Sequence, residues 1–167
     1  MLLAEALAAR KDAVIEIEAL RDRLAAAVVR YEDQAEPTEP PGEVLAELAA
    51  RLDRFESLSV RINRTNNATR LAFDERELSV MEAIALRERL TIEAKPRRKA
   101  VEALDHAIGS GKAGRGWLGG RRTKDDVREL PTVDVRVERR AADAVSERIR
   151  RLDMSLQQRN WTTELLE

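Results

Sequence analysis

Apolar residues recur at intervals of three and four through long runs of this 167-residue chain, and that spacing limits the fold to long amphipathic helices. The first run is Leu3, Leu7, Val14, Ile17, Leu20, Leu24, Val28 and Tyr31. It predicts a helix over residues 2–32, about 45 Å long at a rise of about 1.5 Å per residue. The second is Leu45, Leu48, Leu52, Phe55, Ser59, Ile62 and Asn66, a heptad seam with polar entries near its end. Asn66 there reads first as a register-fixing residue and second as a ligand contact. The third run predicts a helix over 75–108. Leu78, Met81, Ala85 and Ile92 carry its first half, and Leu90, Ala94, Arg97, Val101, Leu104 and Ile108 its second. Pro96 lies inside it and should kink or split it. The fourth runs from near Asp134 to near Asn160 on Ala142, Val145, Ile149, Leu152 and Leu156.

The interruptions are as informative as the runs. Residues 33–42 contain Pro37, Pro40, Pro41 and Gly42 and read as a linker that reverses the chain. Residues 109–124 hold six of the seven glycines and five basic residues, and read as a long flexible loop. The segment 130–135 looks extended, a hairpin arm against part of that loop. Thr69 to Phe73 alternates polar and apolar and predicts a short strand, with Asp74 as the cap of the next helix. Trp161 to Leu165 also has strand character. Helices that alternate in direction bring Leu2–Leu3, residues 61–71 and residues 160–165 to one end, where 69–73 and 161–165 are placed to pair.

The expected fold is therefore all-α: a single domain over 1–167, an antiparallel bundle of four long, coiled-coil-like helices with short strand pieces at the ends. Composition agrees, with aromatics at 3% and charged residues at 37%. The net charge of −1 conceals an asymmetry: residues 1–60 carry 7 basic and 13 acidic side chains, the remainder 23 and 18. Opposite charge on two parts of one chain suits an antiparallel bundle or head-to-tail self-association, although alternating helix charges also serve solubility. The longest apolar run, Leu24 to Val29, is far shorter than the roughly 20 residues that span a bilayer. Met1-Leu2-Leu3 is followed by Glu5 without a basic segment, unlike a secretion signal. The expectation is a cytoplasmic protein with no membrane partner.

Enzyme chemistry finds little to work with. The chain has no cysteine and one histidine, His106, with Ala103 rather than a carboxylate three residues before it. A di-metal carboxylate bundle needs two Glu-x-x-His pairs, and no Ser-His-Asp or Cys-His arrangement is expected around the single histidine. Gly109-Ser110-Gly111-Lys112 resembles a phosphate loop, but Ala113 stands where Ser or Thr is needed and His106 where the first glycine is needed. No catalytic residue, cofactor or metal is expected.

Two stretches remain as binding candidates. One is the basic loop, with Lys112, Arg115, Arg121, Arg122 and Lys124 around one stacking ring, Trp117. A solvated loop explains it more simply than nucleic acid, given an overall pI near 6.1. The other is a polar cluster of Asn63, Arg64, Thr65, Asn66, Thr69, Arg70, Asn160, Trp161, Thr162 and Thr163. Such a set would satisfy helix ends and chain crossings by hydrogen bonds, or hold a small anion between arginines. The structural reading needs fewer assumptions.

Three stretches resemble the septicolysin-like family of uncharacterised bacterial helical proteins. They are Leu3-Ala4-Glu5-Ala6-Leu7 with Arg10-Lys11-Asp12; Arg61-Ile62-Asn63-Arg64-Thr65-Asn66 with Thr69-Arg70-Leu71; and Asn160-Trp161-Thr162-Thr163-Glu164-Leu165 with Thr132-Val133-Asp134-Val135. The resemblance implies an all-helical fold of unknown activity and supplies no catalytic residues. Its label implies a cytolysin, but no apolar face is wide enough for a pore. Thin apolar stripes on long helices leave surface to bury against other copies, so a homo-oligomeric structural or interaction protein is expected. The alternative is a module binding nucleic acid or an anionic ligand through residues 109–124 or the polar end.

Overall fold

The computed structural model describes residues 1–29, 39–113 and 131–167, with side chains left out for 110–113. Within them the order is α1 (Leu3–Ala27), α2 (Pro41–Ala68), β1 (Arg70–Phe73), β2 (Arg76–Ser79), α3 (Val80–Ala113) and α4 (Val135–Thr162). The described residues are thus mostly helical, as expected, with one two-stranded antiparallel sheet among them. It divides into two compact units, Met1–Glu82 with Ser155–Glu167, and Ala83–Met154.

In the first unit α1 and α2 pack antiparallel. Late α1 meets early α2 where Arg23 reaches Glu47 at 3.3 Å, and Glu16 meets Arg51 at 3.1 Å. Early α1 meets late α2 in a cluster of Leu3, Ala6, Leu58, Ile62 and Leu165. The buried side chains of α1 fall at seven-residue steps, Ala6, Ala13, Leu20 and Ala27, with Leu3 beside them. Small side chains on a contact face let two helices approach closely. Leu3 and Leu20 of the expected stripe are buried and Leu7, Ile17 and Leu24 half-buried, while Val14 and Val28 are exposed and alanines take their place. α1 also ends at Ala27, short of residue 32, where the β-branched pair Val28 and Val29 disfavours helix. Tyr31 and most of the proline linker lie outside the described residues.

α2 starts on Pro40 and Pro41, prolines placed where the first helical turn needs no backbone donor. It buries Val44, Leu58, Ile62, Thr65 and Asn66. Ile62 and Asn66 of the expected seam are buried and Leu48, Phe55 and Ser59 half-buried, but Leu45 and Leu52 are left exposed while Val44 and Leu58, one residue off the seam, are buried.

The chain leaves α2 at Thr69 and enters the hairpin. Arg70 pairs with Ser79, Leu71 with Leu78, Ala72 with Glu77 and Phe73 with Arg76. Leu71, Phe73 and Leu78 are buried. The expected strand at 69–73 therefore exists, but its partner is residues 76–79 and not 161–165. Asp74 does not cap a helix. It and Glu75 form the two-residue turn at φ 47° and 61°, the left-handed backbone that tight hairpins require and that Asn-Gly takes more readily. The cap of α3 is Ser79, five residues later than expected. The Glu82 N–H donates to Ser79 Oγ at 3.1 Å and the Ser79 N–H donates to Glu82 Oε2 at 2.6 Å, a reciprocal box.

α3 runs unbroken through Pro96 to Ala113, so the expected split is absent and the glycine-rich segment begins as helix. Pro96 lies on the exposed side. In the second unit α3 and α4 run antiparallel, marked by ion pairs of Arg87 with Asp153 at 2.6 Å, Arg97 with Glu138 at 4.0 Å, and Arg139 with Asp105. Leu90, Ala94 and Ala107 of α3 are buried, as are Val145 and Leu152 of α4 in this unit. Asp134 opens α4 as a cap, accepting the Arg136 N–H on its carboxylate at 2.8 Å.

Candidate functional site: the polar end of the first unit

The end of α2 places Arg61, Arg64 and Thr65 beside the segment that follows α4. Leu165 anchors that segment by entering the core with Leu3, Leu58 and Ile62. Burying a side chain of this size contributes about 1.5–3 kcal/mol. Its backbone then pairs with the opening residues: the Leu3 N–H donates to the Thr163 carbonyl and the Leu165 N–H to the Met1 carbonyl, both at 2.9 Å. Leu2 and Glu164 form the bridge between them.

Thr65 ties this pairing to α2. Its hydroxyl is fully buried and used twice, donating to the Arg61 carbonyl at 2.8 Å and accepting the Leu166 N–H at 2.9 Å. Arg61 Nε donates to the Leu166 carbonyl at 3.0 Å, and Arg64 reaches the Glu167 carbonyl at 3.3 Å. Backbone groups that no helix or sheet would satisfy are thereby paired.

The expected constellation is brought together only in part. Thr65 and Asn66 are buried and Thr163 is half-buried at the crossing, while Asn63 is exposed. Thr69 is half-buried where the Val80 N–H donates to its carbonyl at 3.0 Å. Arg70 turns to Glu82 at 3.5 Å instead. Asn160 is half-buried, Trp161 is 64% exposed, and the Thr162 hydroxyl donates back along α4 to the Gln158 carbonyl at 2.9 Å. Arg61 was not among the candidates, although its spacing of four from Thr65 put both on one helix face. Of the basic-loop candidates, Lys112 lies in the last turn of α3, and Arg115, Trp117, Arg121, Arg122 and Lys124 lie outside the described residues.

Two carboxylates are held below the ordinary range. Hydrogen bonds from the backbone and hydroxyl of Ser79 lower Glu82, with Arg70 adding to it. A hydrogen bond from Arg23 lowers Glu39 and raises the guanidinium in turn. Both are exposed structural pairs. In the second unit a cleft of about 300 Å³ between α3 and α4 carries Arg98, Glu102, Arg139 and Asp143 on its walls. Among the described residues no group of three acidic, histidine or cysteine side chains could hold a metal ion. No described helix is long and apolar enough to cross a membrane.

The model of a family of unknown function, DUF6847, matches residues 10–165. The chain belongs to that family. It is also similar to a solved structure, that of a functionally unknown conserved protein from Corynebacterium diphtheriae. The two share 28% identity over 99% of each chain, with a TM-score of 0.75. No curated protein matches. The DUF6847 match takes in α2, the hairpin, both later helices and Leu165, while Met1–Leu3, Leu166 and Glu167, which supply one partner of each backbone contact at the polar end, lie outside it.

Proposed function

We propose that this DUF6847 protein is a self-assembling structural or interaction protein of the cytoplasm, and that its oligomer is the working form. One observation carries the reading. Helices that already bury one face still expose large apolar side chains on others, among them Leu45 at 51%, Ile92 at 63% and Met154 at 72%. Where such side chains join into a contiguous apolar patch they mark contact with another surface, and these residues are the ones that a partner copy would cover. Coiled-coil pairing of helices between copies, and kinship with the septicolysin-like proteins, belong to the same proposal. The polar end contributes indirectly, since Arg61 and Thr65 are spent on the chain's own backbone.

A second reading rests on the basic excess of the second unit, 18 basic against 12 acidic residues, which favours an anionic ligand or nucleic acid. Sedimentation velocity across a wide concentration range, with absorbance at 260 and 280 nm, separates the two. Assembly that grows with concentration at bare protein absorbance is expected. A monomer throughout, or retained nucleic acid that leaves steeply with added salt, would overturn the first reading.

A further inference from the structure

Charge is sorted between the two units. The first carries 12 basic and 19 acidic residues, the second 18 and 12. On each, an exposed helix face joins apolar side chains to charge of that unit's sign. On α2 the face holds Leu45, Ala49, Leu52, Asp53 and Glu56, all exposed and all within about a third of the helix circumference at about 3.6 residues per turn. At the start of α4 another holds Arg136, Val137, Arg140 and Ala144, with Val133 just before the helix and Asp143 at the edge of the face, so that arginine outnumbers carboxylate there. Val133 and Val137 are 49% and 50% exposed, and the Arg140 side chain lies along the helix, donating to the Arg136 carbonyl at 3.2 Å.

We infer that the outer face of α2 docks against the outer face of early α4 in a second copy of this chain. The inference rests on the self-assembly reading and names the surface. Leu45 and Leu52 have an apolar counterpart in Val133 and Val137, Asp53 and Glu56 a charged one in Arg136 and Arg140. Ala49 and Ala144 leave room for the helices to approach. Two α2 faces meeting each other would set Asp53 and Glu56 against their own copies, and two α4 faces would set arginine against arginine. Like charges brought together oppose association, so the unlike pairing is selected. The contact joins different surfaces, which builds a reciprocal dimer, a ring or a filament according to how the rotation closes.

Charge reversal in two variants tests this. D53K/E56K makes the α2 face basic, and R136E/R140E makes the α4 face acidic. All four positions are exposed, and unchanged far-UV circular dichroism checks that each variant folds. Each variant alone is expected to self-associate at least tenfold more weakly than the parent protein. An equimolar mixture should recover association to within about threefold of the parent, because each variant then offers the face the other lacks. Recovery and a weakening of the parent by salt would establish the contact. Parent protein that assembles while both variants assemble equally well, or a mixture that stays dissociated, overturns the contact and leaves self-assembly standing. A monomeric parent overturns both. Nucleic acid lost on R136E/R140E substitution with assembly unchanged would assign the α4 face to that ligand instead.

Discussion

The two helix pairs solve the same packing problem differently. α1 against α2 closes on a dry cluster, with Leu3 and Ala6 wholly buried, Ile62 1% exposed, and Leu165 brought in from a hundred residues away. Along α3 and α4 the corresponding positions include Arg97, held between Glu93 at 3.0 Å and Glu138 at 4.0 Å, and Val101, Leu104 and Ile149 are only half-buried. A seam carrying an ion pair excludes water less completely and gains less from each apolar group. Periodicity alone therefore does not measure stability: both pairs have regular spacing, but among the described residues the end of α1 and α2 that holds Leu3 and Ile62 also gains Leu165 from a third segment.

Substitutions can break that contrast directly. Ile62→Ala should cost about 2–5 kcal/mol, the usual range for emptying a sealed core site. Leu104→Ala, half-exposed in the other pair, should cost clearly less. Urea denaturation of each variant decides it, and equal losses would mean the two seams are equally tight. Next in size, Thr65→Val keeps the shape of the side chain but leaves the Leu166 N–H without its acceptor. A loss of about 1–3 kcal/mol is expected, with faster amide exchange at Leu165 and Leu166 as the local sign that the clasp has opened.

The smallest effect is acid sensitivity. Glu39 and Glu82 both belong to the first unit, and both are held below the ordinary carboxylate value of 4.5. The stabilisation they supply is present above that ordinary value and is lost as pH falls through their lowered values. Amide exchange at Ser79 and Glu82, where the capping box sits, should quicken across that acid range. Exchange there that ignores pH apart from its intrinsic chemistry would remove Glu82 from the account.

Much of this architecture could be read from residue spacing. The α4 seam of Val145, Leu152 and Leu156 is buried where the three-four pattern put it. On α2 the seam holds at Ile62 and Asn66 but departs in its first half, because Leu45 and Leu52 outweigh Glu47 and Arg51 in apolarity. The latter two instead pair with Arg23 and Glu16 across the interface. On α1 three alanines share the contact with Leu3 and Leu20, and a search for large apolar residues passes over them. The hairpin was half visible: its first strand alternates plainly, but an Asp-Glu turn carries none of the glycine or asparagine that announces a tight reversal. At the polar end, Thr65 and Thr163 were legible as a meeting of sequence-distant stretches. The identity of the partners was not, because they are backbone groups, which every residue carries.

Thr65 and Leu165 also set an order of events during synthesis. The first unit consists of residues 1–82 and 155–167, so a nascent chain exposes α1, α2 and the hairpin while the segment that completes them is still unmade. Until then Leu3 and Ile62 lack one wall of their core, and the Thr65 hydroxyl lacks its Leu166 donor. At about 5–20 residues per second, the gap from Glu82 to Leu165 lasts several seconds. For that interval the ribosome carries an open apolar groove, one that a second nascent chain or a chaperone could occupy before the chain's own tail arrives.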